Sequence, residues 1–110
     1  VRAFDGATGA LLWERFVYEP TFLGGVYLAA GDADGDGRAD LVATPDQGGG
    51  PVVKVIAGAD GAERQSFFGI DDPNFRGGAR AALGDVNGDR RLDLLVSAGA
   101  GGGPRVAVYD

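Results

Sequence analysis

One acidic loop occurs twice in this chain, and the two copies lie 53 residues apart. The first loop runs from Asp32 to Asp40 and the second loop from Asp85 to Asp93. Both place oxygen-bearing side chains at loop positions 1, 3, 5 and 9. Such alternation lets a short segment surround one hard cation with oxygen atoms, as calcium loops do. The sequence therefore predicts a repeat protein with two calcium sites.

Neither loop is an EF-hand, because that motif requires Glu at position 12 and a helix on each side. Position 12 is Ala43 in the first loop and Val96 in the second. The residues that follow each loop form a short apolar run bounded by Gly or Pro, which indicates a β-strand. We therefore expect the carboxylate at position 9 to lie at the mouth of a strand.

The predicted calcium ligands are the side chains at positions 1, 3, 5 and 9 and the backbone carbonyl at position 7. In the first loop they are Asp32, Asp34, Asp36, Arg38 and Asp40. In the second loop they are Asp85, Asn87, Asp89, Arg91 and Asp93. Gly35 and Gly37 are expected to supply the positive φ that so tight a wrap requires.

The second loop is expected to bind calcium less tightly than the first. Asn87 replaces a carboxylate, and Arg90 stands where the first loop has Gly37. A non-glycine residue in a left-handed conformation costs roughly 1 to 2 kcal/mol. Arg90 also brings positive charge near the cation. The alternative, that Asp and Gly merely form turns, is disfavoured because both loops keep the same alternation in the same register.

The repeat extends well beyond the loops. Residues 20–57 match residues 73–110 with 18 identities in 38 positions. Each unit is predicted to contain four strands, A to D. The ranges are 26–30 and 79–83 for A, 39–44 and 92–97 for B, 52–57 and 105–109 for C, and 11–18 and 63–70 for D. Strand A, made of small apolar residues, is expected to be the most enclosed. About four strands per unit of this length is typical of a propeller blade.

Both units resemble FG-GAP/VCBS-type repeats. In the first unit the resemblance is carried by Phe22-Leu23-Gly24-Gly25, the first loop and Leu41-Val42, and in the second unit by their copies. Gly-Gly replaces the Phe-Gly pair of that family. The resemblance implies calcium-binding β-propeller blades, as in integrin α-subunits and large bacterial surface proteins. It also implies that ligands engage the face opposite the metal loops. That face would carry residues 19–25, 45–50, 71–78 and 98–103.

The expected fold is all-β, with propeller-like blades of four antiparallel strands. Residues 1–18 would form a partial blade with strands C and D. Residues 26–70 would form a complete blade with the first loop, and residues 79–110 a partial blade with strands A, B, C and the second loop. About two blades cannot close a ring of roughly four to eight. We therefore expect an excerpt of a longer propeller or array, whose partners are neighbouring blades or further copies of the chain.

Composition excludes several functional classes. The net charge is −6, and seven of the 16 acidic residues lie in the two loops. No Lys/Arg cluster is present, which argues against nucleic-acid binding. No apolar run is long enough for a membrane span. The chain has no His and no Cys, so triad chemistry lacks its components and we expect no enzyme.

The aromatic residues leave alternatives open. Two phenylalanines recur in both units, as the pairs Phe16/Phe68 and Phe22/Phe75. We expect them to pack in the core or between blades. Trp13 has Gln65 as its counterpart, so we expect it outside the shared core, either as padding of the outer strand or as a binding surface.

The favoured function is an extracellular or cell-surface scaffold or adhesion platform that binds a protein or glycan ligand. Extracellular calcium modules bind with dissociation constants of about 10⁻⁴ to 10⁻³ M, which fits that compartment. One alternative is a carbohydrate-binding module that uses Trp13, Tyr18 and Tyr27. Another is an accessory, non-catalytic segment of a secreted hydrolase.

Overall fold

The computed structural model describes residues 1–110 and contains nine β-strands and no helix. The strands are β1 Arg2–Phe4, β2 Leu11–Glu14, β3 Val26–Gly31, β4 Asp40–Pro45, β5 Val52–Ile56, β6 Glu63–Phe68, β7 Ala79–Gly84, β8 Asp93–Ala98 and β9 Val106–Tyr109. No helix long and apolar enough to cross a membrane is present.

The strands form three antiparallel sheets, each in chain order. The first sheet is β1-β2, the second is β3-β4-β5-β6 and the third is β7-β8-β9. The all-β fold and the blade-like sheets predicted from the sequence are confirmed. The division of the chain into separate folding units at the predicted boundaries stays a prediction.

Successive sheets pack face to face because their central strands are apolar on both sides. Along β4, Val42 contacts the third sheet and Ala43 contacts the first, as the two-residue period of a strand requires. Both residues are fully buried. The cluster between the second and third sheets is built from Val42, Val53, Ile70, Ala79, Leu94 and Val96. A smaller cluster joins the first and second sheets through Val17, Ala43 and Ile56.

The prediction that strand A is the most enclosed is wrong. In β3, which is strand A of the second sheet, Leu28 is 50% exposed, whereas the strand B residues Val42 and Ala43 are fully buried. The reason is position, because β3 is an edge strand and β4 lies between β3 and β5. The small side chains of β3 therefore do not indicate that this strand is buried.

Strand D is shorter than predicted in both units, since β2 ends at Glu14 and β6 at Phe68. Beyond these ends the chain leaves the sheet, but Val17 and Ile70 stay buried. Val17 packs between the first and second sheets, and Ile70 packs against the third. The chain bends here because these apolar side chains reach a neighbouring sheet instead of continuing the ladder.

The predicted packing role of Phe16 and Phe68 is also wrong, since they are 80% and 51% exposed. Strand alternation places the neighbouring Phe67 inward instead. Its ring lies edge-on to that of Tyr109, with centroids 5.1 Å apart. Phe22 and Phe75, by contrast, are half-buried.

The packing of the second sheet on the third can be tested with a matched pair of valines. Val53 is fully buried and its repeat counterpart, Val106, is 66% exposed. We expect Val53→Ala to lower the free energy of unfolding by about 2 kcal/mol, from lost methyl burial and the cavity left behind. Val106→Ala should change it by less than about 0.5 kcal/mol. Denaturant titration measures both, and equal losses would contradict this arrangement of sheets.

Candidate metal centre

Each acidic loop connects two paired strands of a hairpin. Gly31, the last residue of β3, pairs with Asp40, the first residue of β4. Gly84 and Asp93 form the corresponding pair between β7 and β8. Strand pairing therefore brings loop positions 1 and 9 together, and Asp40 and Asp93 lie at the mouth of a strand as predicted.

The carboxylate at position 1 organises the first loop. Asp32 Oδ1 accepts hydrogen bonds from the backbone N–H groups of Gly35 and Asp36, at 2.7 and 3.0 Å. Its Oδ2 accepts one from the N–H of Gly37 at 2.8 Å. Three amides thus point at one side chain, which turns the following residues back around it.

The second loop repeats this pattern bond for bond. Asp85 Oδ1 accepts hydrogen bonds from the N–H groups of Gly88 and Asp89, at 2.7 and 3.1 Å. Asp85 Oδ2 accepts one from the N–H of Arg90 at 2.8 Å. The loops therefore share one backbone geometry although their sequences differ at several positions.

The oxygens at positions 3 and 5 also accept backbone hydrogen bonds. Asp34 Oδ1 accepts the N–H of Asp36 at 3.0 Å, and Asp36 Oδ1 accepts the N–H of Arg38 at 2.7 Å. The second loop has the same two bonds. Asn87 Oδ1 accepts the N–H of Asp89 at 3.1 Å, and Asp89 Oδ1 accepts the N–H of Arg91 at 2.8 Å.

The carboxylates of the first loop converge. Oxygen atoms of Asp32, Asp34 and Asp40 lie within 4.8 Å of one another. Asp36 lies outside this group. Three converging carboxylates form a donor set of the kind that hard cations such as Ca²⁺ prefer. Ligation by Asp36, and by the carbonyl oxygens of Arg38 and Arg91, stays a prediction.

The position 9 carboxylates are buried, with Asp40 3% and Asp93 1% exposed. One oxygen of each accepts a backbone N–H: Ala33 donates to Asp40 at 3.2 Å and Val86 to Asp93 at 2.8 Å. The other oxygen of Asp93 is buried and has no hydrogen-bond partner. A buried charged oxygen without a partner is costly. A cation in the second loop would supply the missing partner, so the residues present fit a metal.

Arg90 adopts the left-handed conformation expected at position 6. Its φ is 70°, and that of its counterpart Gly37 is 85°. No other non-glycine residue in the chain has a positive φ. The conformation is imposed by the loop, because the N–H of Arg90 points at Asp85 as that of Gly37 points at Asp32.

The three aromatic side chains considered for ligand binding make intramolecular contacts. Trp13 is half-buried, and its indole N–H donates to the carbonyl of Gly58 at 2.8 Å, joining the first sheet to the second. The Tyr18 hydroxyl lies 2.9 Å from the carbonyl of Ala43 and 2.7 Å from that of Val52. Burial, with Glu63 and Glu19 nearby, raises the pKa of Tyr18.

Tyr27 contributes to a contact between the second and third sheets. The guanidinium carbon of Arg80 lies 3.6 Å from the Tyr27 ring centroid, so one face of the ring is covered. Arg80 also forms a 3.0 Å salt bridge with Asp46. The backbone N–H of Gln47, assisted by Tyr27 and Arg80, holds the pKa of Asp46 below its usual range. The carbohydrate hypothesis stays a prediction that these contacts do not favour.

Sequence reasoning missed the neighbours that the first loop acquires from the second. Arg90, Arg91 and Leu92 line a cleft together with Asp32 and Asp34. The only signal in the sequence is that Arg-Arg-Leu replaces Gly-Arg-Ala at positions 6 to 8. Nothing in that change shows which loop the side chains face.

Comparison with known families agrees with this geometry. Residues 77–109 match the family model of the FG-GAP repeat. The match is consistent with an FG-GAP-type repeat. The matched segment includes β7, β8, β9 and the second loop, and residues 24–56 are its counterpart in the first unit. FG-GAP repeats are generally non-catalytic structural repeats. Searches of curated proteins and of solved structures gave no significant match.

The strain at Arg90 predicts that the two loops differ in calcium affinity. Arg90→Gly should tighten calcium binding at the second loop about five- to thirtyfold, which corresponds to roughly 1 to 2 kcal/mol of relieved strain. The reciprocal Gly37→Arg should weaken the first loop. Calcium titrations followed at the Gly88 and Gly35 amide resonances report the two loops separately.

Apo stability is measured alongside, because glycine at position 90 also loosens the unfolded chain by up to about 1 kcal/mol. Weaker calcium binding in Arg90→Gly would contradict the prediction, and would mean that Arg90 supports its own loop.

Proposed function

We propose that this chain is a calcium-binding, calcium-stabilised FG-GAP repeat module that serves as an extracellular scaffold or adhesion platform. The observation that carries the proposal is the convergence of Asp32, Asp34 and Asp40 at the mouth of a hairpin. The same hydrogen bonds recur in the second loop, together with the unpartnered buried oxygen of Asp93.

The chain's own residues explain why a bound cation stabilises the fold. The carboxylates of Asp32, Asp34 and Asp40 repel one another when no cation lies between them. Asp40 is the first residue of β4, the most buried strand of the second sheet. Any opening of the loop therefore loosens the end of a core strand. A bound Ca²⁺ supplies the positive charge that holds these carboxylates together.

Calcium is favoured over magnesium by the shape of the donor set. Calcium accepts six to eight oxygen ligands in irregular geometry, whereas magnesium requires a near-ideal octahedron and retains several waters. A nine-residue loop with alternating carboxylates offers many oxygens in one short segment. Its backbone amides already fix the carboxylates in a crowded arrangement.

The proposed calcium sites and the repeat support an extracellular location. Extracellular calcium modules work at dissociation constants of about 10⁻⁴ to 10⁻³ M, where cytosolic calcium would leave them empty. FG-GAP repeats typically occur in extracellular proteins.

The partners that we propose are further sheets of the same repeat. Val106 and Val108 of β9 are 66% and 54% exposed. Their counterparts in β5, Val53 and Val55, pack against the third sheet. The exposed face of the third sheet is thus equivalent to the face of the second sheet that the third sheet covers. This equivalence supports a neighbouring blade or a second copy of the chain as the partner that covers the exposed face.

The ligand of an adhesion platform would bind at the ends of the sheets remote from the loops. A groove of about 490 Å³ lies there, lined by Tyr18, Phe22, Phe68 and Arg76 among others. Aromatic walls and a cationic rim supply both apolar contact and polar specificity, as protein-binding surfaces do.

The test of the function is a calcium titration of chelator-stripped protein by calorimetry. We expect two calcium ions per chain, with the first loop tighter than the second. Because calcium binds the folded state, stability should rise by about 2.7 kcal/mol at a hundredfold excess over the dissociation constant. Thermal melts with calcium and with a chelator measure that rise.

Variants at the exposed position 5 separate the two sites. Asp36→Ala should remove the first binding event and most of the rise in melting temperature, and Asp89→Ala should remove the second. Asp71→Ala, which deletes an exposed aspartate outside both loops, is the matched control and should bind two ions. A melt that chelation leaves unchanged, or equal filling by magnesium, would refute the proposal.

A further inference from the structure

Two arginines of the second loop lie beside the carboxylates of the first. Arg90, Arg91, Asp32 and Asp34 line one cleft of about 430 Å³ between the loops, together with Asp110 at the edge of the third sheet. Because these arginines come from the neighbouring sheet, their charges act on a metal loop to which they do not belong.

An apolar contact fixes the two loops against each other. A Cβ placed on Gly31 would lie 2.7 Å from Leu92 Cδ1, so the leucine occupies space that a side chain at Gly31 would fill. Gly31 immediately precedes Asp32, and Leu92 immediately follows Arg91. This contact holds the arginine pair next to the start of the first loop.

The arginines have no ion-pair partner within contact distance. The three salt bridges of the chain join Arg2 to Glu14, Lys54 to Glu63 and Arg80 to Asp46. Arg90 and Arg91 are exposed, and their charges therefore act across the solvent of the cleft. Such an interaction is weaker than a contact pair and is reduced by salt.

We propose that Arg90 and Arg91 are countercharges for the first metal loop: they stabilise it when it is empty and lower its affinity for calcium. Positive charges across the cleft attract the clustered carboxylates of Asp32 and Asp34. The same charges repel a divalent cation bound there. This inference rests on the proposed function of the first loop as a calcium site.

The consequence is that the first loop, which has more carboxylates, fills only at a higher calcium concentration. The first loop has four aspartates and the second has three aspartates and an asparagine. Without a countercharge, the first loop would fill at a much lower calcium concentration than the second. The arginines of the second loop bring the two thresholds closer, and they reduce the repulsion in the metal-free protein.

The test removes the charges and leaves the backbone unchanged. In Arg90→Gln/Arg91→Gln, position 90 remains a non-glycine residue, so the strain of the second loop is retained. We expect the dissociation constant of the first loop to fall about five- to twentyfold at low ionic strength, an order-of-magnitude Coulomb estimate. Amide resonances of Gly35 and Gly37 report the first loop, and that of Gly88 reports the second.

Two matched variants isolate charge from packing. Arg90→Lys/Arg91→Lys keeps both charges and should keep the wild-type affinity of the first loop. Arg105→Gln removes one exposed charge at the β8–β9 turn, the end of the hairpin remote from the loops, and should leave that affinity unchanged. The difference between wild type and the glutamine variant should shrink in about 0.5 M salt, where screening is strong.

A second readout needs no calcium. Melting of the chelated protein should occur at a lower temperature in the glutamine variant, since its empty carboxylates lose their countercharges. Unchanged or weaker calcium binding at the first loop of that variant would overturn the inference. So would a lysine variant that behaves like the glutamine variant. A wild-type chain that binds no calcium would instead overturn the proposed function itself, together with this inference.

Discussion

A buried carboxylate at the mouth of a hairpin is the constraint on which the rest of this structure depends. Asp40 and Asp93 are almost fully buried, and each faces the last glycine of the preceding strand. A charge in that position is tolerated only if hydrogen bonds or a cation compensate its lost hydration. One backbone N–H donates a hydrogen bond to each carboxylate and compensates part of its lost hydration. The other oxygen of Asp93 has no hydrogen-bond partner. The cation that we propose would compensate it and would couple the loop to the core strand that begins at the same residue.

This coupling reaches the core because β4 is central in two senses. It lies between β3 and β5 within its sheet, and its two faces contact two different sheets. Val42 lies two residues after Asp40 and Ala43 three residues after it, and both are fully buried. Disorder in the loop would therefore propagate first into the strand that joins all three sheets, not into an edge.

The sequence was sufficient for features that depend on local chemistry. The loop register, the strands on either side and the left-handed backbone of Arg90 all follow from residue type at a fixed spacing. Burial was harder to predict, because it depends on which strand of a sheet becomes an edge. Phe16 and Leu28 resemble core residues in sequence, yet both are exposed. The contact of Leu92 with Gly31 joins residues of different sheets, and no local pattern records it.

Stacking sheets face to face has an electrostatic cost, because it brings the loops of neighbouring repeats to the same edge. In a strict repeat every loop would carry the same carboxylates, and their repulsions would add along the stack. The chain departs from strict repetition at positions 3 and 6 of the second loop, where Asn87 and Arg90 replace acidic and neutral residues. Both changes make the second loop more positive, and Arg90 lines the cleft shared with the first. Arg90 is thus the divergent residue that lies at the boundary between the loops, where identical copies would oppose each other most.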